Sequence, residues 1–207
     1  MDATSTGILL STLWNQYGKV RIGNTTYDVD YNAYCPIDPT CGERSVTGCT
    51  NTAASQILYY YVEKKGLNLT LTLSAEDEYK SNKTTPSIYI TADGSGDADT
   101  LPFEQVNAML SNFNVNSPNH IAALNFACGV VQQAKYSKSA TSTCWYTSLF
   151  MRSGLANVAY SSLTNDWKYY WGTYSTIPTD PYVLTDGAFE ILIENLQAGH
   201  VIGTSIP

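Results

Sequence analysis

The sequence predicts an α+β fold, and three stretches carry that prediction. Residues 49–65 combine helix-favouring residues with Ala53, Ala54, Ile57, Leu58 and Tyr61 spaced along one apolar face. Residues 119–133 repeat the pattern with Ile121, Leu124, Ala127, Cys128 and Val131. Between them Leu67, Leu69, Leu71 and Leu73 alternate strictly with polar residues, the period of a half-buried strand. A chain of 207 residues can bury a sizeable core as one unit, and no internal repeat or linker divides it. Residues 1–207 therefore read as a single domain.

In chain order, residues 9–14 read as a short helix or turn. Extended pieces follow through Val20 and Ile22 and then over 24–30, where Tyr27 and Val29 alternate with polar neighbours. Pro36, Pro39, Gly42 and Gly48 punctuate a loop over 31–48. The next helix starts at Cys49, with Thr50, Asn51 and Thr52 expected to cap it by accepting from free N–H groups. It ends at Lys64 or Lys65, where Gly66 suits a C-cap and the two lysines suit the helix dipole. After the leucine strand, 75–83 is polar and 87–91 is a short strand. Residues 91–99 are acidic and glycine-rich. Their Asp spacing resembles a calcium loop, but the far Glu ligand is missing, so a solvated turn is expected rather than a metal site. Helices are predicted over 102–112 and 119–133, and a Ser/Thr-rich loop over 137–143. A helix over 144–153 and a strand over 158–163 follow. Trp167, Tyr169, Tyr170, Trp171 and Tyr174 form an aromatic cluster, either a packed surface hairpin or a groove wall. The last helix spans 186–198, Gly199 ends it, and His200 opens a strand.

Composition narrows the function. Hydrophobic residues make up 43% and charged ones 14%, the balance of a globular chain without long disordered stretches. The net charge of −7 argues against a nucleic-acid surface, which needs clustered Lys and Arg. No apolar run reaches bilayer length. Residues 1–4 lack the basic start and apolar core of a signal peptide, so secretion would rest on a leader outside this sequence. The 16 tyrosines suit strands, wet interfaces and clefts. Five cysteines, at 35, 41, 49, 128 and 144, fit one nucleophile plus up to two disulfides, Cys35–Cys41 and Cys128–Cys144, with free core thiols as the alternative.

Chemistry concentrates at Thr47-Gly-Cys49. Gly48 permits a sharp turn, and Cys49 follows at a helix start. A helix N-terminus stabilises negative charge through its dipole and its free N–H groups. The same groups can hold a developing oxyanion. Cys49 is therefore a candidate nucleophile for acyl transfer. The bland alternative is a small cysteine buried against a neighbouring element.

The segment Thr47-Gly-Cys-Thr-Asn-Thr-Ala-Ala-Ser-Gln-Ile-Leu-Tyr-Tyr60 resembles the nucleophile segment of the streptopain family of papain-like bacterial cysteine peptidases. That family typically carries Thr-Gly-Cys-Val-Ala-Thr-Ala-x-Ala-Gln-Ile-Met-x-Tyr. Leu9-Leu-Ser-Thr-Leu-Trp-Asn-Gln16 and Tyr31-Asn-Ala-Tyr-Cys-Pro36 resemble the mature N-terminal segment of such enzymes. Gly129-Val-Val-Gln-Gln-Ala-Lys-Tyr136 with Ser139 and Ala140 resembles their central segment, and 191–199 their helix before the strand that leads to the histidine.

The resemblance implies a papain-like α+β fold with a helical part bearing Cys49 and an antiparallel β part. It implies a secreted or cell-surface bacterial cysteine endopeptidase acting on proteins or peptides, with no cofactor and no metal. It also implies an inhibitory propeptide as a partner, absent from this sequence as from a mature form. Cys49 is the catalytic nucleophile by this reading, and Ser139 and Ala140 would line the specificity pocket. A base is also needed. His120 falls where the family has no catalytic group and reads as a capping or surface residue. His200 follows Gly199 directly and so sits on the earlier strand. The catalytic histidine is expected beyond Pro207, with the final strands of the domain, and His200 is the alternative. Glu43 and Arg44 stand where an oxyanion glutamine would be sought, leaving Arg44 and the Cys49 N–H as donors. The rival reading is a catalytically inactive papain-like binding or inhibitor module.

Overall fold

Small residues followed by a tyrosine-rich run place one helix at the centre of the molecule. In the computed structural model, which describes residues 12–66, 68–77, 79–80, 89–90 and 102–143, this is α1 (Cys49–Lys65). Between Asn51 and Tyr61 every residue is buried except Ala53 and Gln56, which are partly so. The expected one-sided apolar face is real, but neighbours cover the other sides as well. Gly66 ends the helix at φ 64°, and its N–H donates to the Tyr61 carbonyl. The start differs from expectation, because no side chain caps it. Asn51, Thr52 and Ser55 instead donate backwards to the carbonyls of Thr47, Gly48 and Asn51, at 2.7, 3.0 and 2.6 Å. This back-bonding suits hydroxyl and amide groups that cannot reach water.

Helix α2 (Phe103–Ser111) buries Phe103, Val106 and Leu110, a helical stripe. Helix α3 (Pro118–Val131) is buried at every residue from Ile121 onward. Ser117 caps it, its Oγ accepting from the His120 N–H at 3.4 Å, and Pro118 occupies the first turn where its missing donor is harmless. Helices α1 and α3 run antiparallel. Gln132 at the end of α3 bonds Asn51, while Tyr59 donates to the Val115 carbonyl ahead of α3.

Short antiparallel pairs surround these helices. Strands β1 (Lys19–Ile22) and β2 (Thr25–Asp30) form the hairpin expected from the extended pieces. Strands β3 (Ile37–Asp38) and β4 (Glu43–Arg44) pair within the stretch expected to be loop. Strands β5 (Tyr79–Lys80) and β6 (Tyr89–Ile90) pair likewise, β6 within the predicted 87–91 strand and β5 within the stretch read as polar. Lys135 extends this pairing, bridging Lys80 on one side and Ser142 on the other. The architecture is α+β, as predicted.

The leucine strand is the main correction. Leu71 and Leu73 are buried and Leu69 partly so, with exposed residues between them, but the segment belongs to none of these sheets. The Asn107 side chain of α2 takes the place of a neighbouring strand there. It accepts from the Leu73 N–H at 2.7 Å and donates to the Leu73 carbonyl at 2.8 Å. Tyrosines also go inward more than expected, and Tyr31, Tyr61, Tyr79 and Tyr136 are fully buried. Tyr79 stacks edge-on to both Phe126 and Tyr136, each at 5.4 Å, joining β5, α3 and the segment after it.

The disulfide expectation fails for Cys35–Cys41, and Cys128 is also a free thiol. Cys35 points into the core against Thr47 Oγ1 at 3.5 Å, whereas Cys41 is exposed in the β3–β4 turn. Cys144, the predicted elements over 144–198, the aromatic cluster, the acidic loop over 91–99 and His200 lie outside the described residues. Among the described residues no helix is long and apolar enough to cross a membrane.

Candidate active site

Cys49 stands at the first position of α1 and is exposed. The bland reading of a packed cysteine therefore belongs to Cys35 and Cys128, not to it. Both of those are fully buried, and burial pushes each thiol up to about 12, where it stays protonated. Gly48 adopts φ 95° and ψ 140°, a conformation reserved in practice for glycine. It throws the chain from the buried Thr47 out to Cys49.

Thr47 is clamped. Its N–H and its Oγ1 both donate to Asn32 Oδ1, each at 2.7 Å. Asn32 Nδ2 in turn donates to the Gln16 carbonyl at 2.6 Å. Two segments that resemble the N-terminal part of such enzymes therefore converge behind the nucleophile turn.

A loop over 137–143 faces that turn. The Val46 N–H donates to the Ser137 carbonyl at 3.1 Å, Thr141 Oγ1 donates to the Val46 carbonyl, and Asn51 Nδ2 donates to Thr143 Oγ1 at 3.0 Å. From the other side Asp38 Oδ2 accepts from the Lys138 N–H at 2.9 Å. Burial alone would raise the Asp38 pKa, but hydrogen bonds from Thr40, Lys138 and Ser137 outweigh it and hold the carboxyl below its ordinary value. The Lys138 ammonium meets Glu43 at 2.9 Å. Ser139 and Ala140, at the tip, are exposed. The loop is thus a pinned wall beside Cys49.

The family model described as the Peptidase C10 family matches residues 26–203. The chain belongs to the peptidase C10 family. This is the streptopain family that the residues around Cys49 resemble. No curated protein matches the chain. Two solved structures are similar. One is the active wild-type interpain A cysteine protease of Prevotella intermedia, with TM-score 0.44, 18% identity, and 82% of this chain and 61% of that chain covered. The other is a prointerpain A fragment of the same organism, with TM-score 0.43, 16% identity, and 82% and 48% covered. The chain thus spans about three fifths and about half of those two chains.

A C10 cysteine needs a base and an oxyanion donor. His120 is engaged away from Cys49. Its Nδ1 accepts from the Asn114 N–H at 3.1 Å, and burial lowers its pKa, so the ring serves as a neutral acceptor that closes the turn before α3. With α3 antiparallel to α1, about 12 residues at 1.5 Å each put His120 some ~18 Å from the helix end that meets Asn51. Glu43 and Arg44 are also structural. Glu43 pairs with Lys138, and Arg44 Nη1 donates to the Cys35 carbonyl at 2.6 Å. Gln16 is held behind the nucleophile turn by its main chain. Its carbonyl is tied to Thr47 through Asn32, and its own amide is not used in those contacts.

Proposed function

We propose that this chain is the nucleophile-bearing part of a secreted bacterial cysteine endopeptidase on a papain-like scaffold. The observation that carries the reading is the exposed Cys49 at the first position of α1, behind a glycine whose conformation only glycine readily adopts, in a member of the C10 family. Cys49 attacks the scissile carbonyl as a thiolate, and the C–N bond of the resulting tetrahedral adduct breaks to leave an acyl-enzyme. A histidine takes the thiol proton and returns it to the leaving amine; water then releases the acid. The Cys49 N–H is assigned to the oxyanion, and the 137–143 loop to one wall of the substrate groove. Substrates are proteins or peptides, and an inhibitory propeptide is the partner that would cover Cys49 before activation. No step calls for a metal or cofactor.

The test is modification by a peptidyl epoxide followed by mass spectrometry of the labelled peptide. Cys49 is expected to be labelled selectively over Cys41, and Cys49→Ser to abolish the signal. His200→Ala is expected to leave labelling unchanged; a loss would assign the base to His200. Equal labelling of Cys49 and Cys41 would replace this reading with a groove-binding module lacking chemistry.

A further inference from the structure

The seam between α1 and α3 is polar where an apolar seam would serve. Asn51 and Ser55 stand where the resembled segments typically carry alanine, and both are fully buried. The Asn51 carboxamide reaches three elements at once. Nδ2 donates to the Thr47 carbonyl at 2.7 Å and to Thr143 Oγ1 at 3.0 Å, and Oδ1 accepts from Gln132 Nε2 at 3.0 Å. The Thr47 carbonyl can only accept, which fixes the orientation of the amide. No other side chain of this size both donates twice and accepts.

Stability is not what this arrangement supplies. Gln132 is fully buried, and its Oε1 has no hydrogen-bond partner among the described residues. A half-satisfied buried amide pair is less stable than a well-packed apolar one. What the pair supplies is register. Thr47 lies two residues before Cys49, Thr143 closes the loop that faces it, and Gln132 is the C-cap of α3. We propose that Asn51 is a positioning residue for the Cys49 site, its carboxamide setting the spacing between the nucleophile turn and the 137–143 wall. The substrate-groove part of this rests on the peptidase reading above.

The experiment compares the full chain with Asn51→Ala and with the double variant Asn51→Ala/Gln132→Leu, which removes both amides together. Three quantities are measured: the melting temperature, hydrogen exchange at the Lys138 and Ser142 amides, and the rates at which Cys49 reacts with a peptidyl epoxide and with iodoacetamide. The epoxide needs the groove, whereas iodoacetamide needs only the thiol. Asn51→Ala is expected to melt lower. The double variant should regain the wild-type melting temperature, yet exchange at Lys138 and Ser142 should rise, and the epoxide-to-iodoacetamide rate ratio should fall, each by about tenfold. Return of exchange and ratio to wild-type values along with melting temperature would overturn the proposal. A wild-type chain with no epoxide preference for Cys49 would defeat the peptidase reading instead. Exchange alone then decides whether Asn51 sets the wall, faster exchange in the double variant supporting it and unchanged exchange overturning it.

Discussion

Gly48 shows how much one residue decides here. At φ 95° and ψ 140° any side chain is strained, and a Cβ would lie 3.2 Å from the Thr141 side chain. Gly48→Ala is expected to lower stability by about 1–3 kcal/mol in urea unfolding and to reduce Cys49 labelling, because the cysteine is carried on the strained turn. Asp38 makes the matching case on the opposite side of the wall. Its folded pKa is depressed, so its contribution is present above the unfolded carboxyl value of about 4 and is lost as pH falls through the folded value. Urea unfolding between pH 3 and 7 should show acid destabilisation that Asp38→Asn reduces. An acid slope unchanged in Asp38→Asn would mean that other carboxylates carry it. Cys49 and Gly48 were legible in the sequence because a glycine and a thiol at a helix start have few other uses. Asn51 was legible as a helix-start residue, but as a cap rather than as the back-bonding donor it is. A cap and a back-bond use the same residue type, and only the packing of α3 decides between them.

At the scale of elements, alternation and pairing come apart. The leucines over 67–73 carry strand periodicity because one side faces the core, yet the backbone partner of Leu73 is the Asn107 side chain. Periodicity reports burial, while the hydrogen-bond partner depends on contacts distant in sequence. Asn107→Leu should therefore destabilise by about 1–3 kcal/mol in chemical denaturation, leaving two main-chain groups unpaired. The packing of α3 against the segment after it gives a sharper contest. Helix propensity favours Gly129→Ala by about 1 kcal/mol. A Cβ there would run into the hydroxyl end of the Tyr136 ring, which is fully buried and donates to the Phe126 carbonyl at 3.1 Å. Overpacking should win, with a net loss of about 1–3 kcal/mol in the same assay. The helices were legible because their long apolar runs leave little choice. Of the two-residue strands only β6 was, inside the predicted 87–91 strand, since pairs so short carry no period of their own.

Across the whole molecule, the described thiols sort by enclosure. Cys35 and Cys128 are held protonated inside the core, while Cys41 and Cys49 are exposed. Brief alkylation of the native protein should modify Cys41 and Cys49 and spare the other two, and urea should expose all four together if the core opens as one unit. Peptide mass spectrometry reads each site, and modification of Cys128 well before Cys35 would show that the core opens in parts. The enclosed pair sits in the shell that supports the nucleophile turn, Cys35 against Thr47 and Cys128 beside Ser55. The wall beside that turn has a different freedom. Its backbone is anchored at Ser137, Lys138 and Ser142, and side chains anchor it at Thr141 and Thr143. Ala140 projects between those anchors. The tip is thereby a separable cassette: the side chain at position 140 can be exchanged while the turn that carries Cys49 keeps its place.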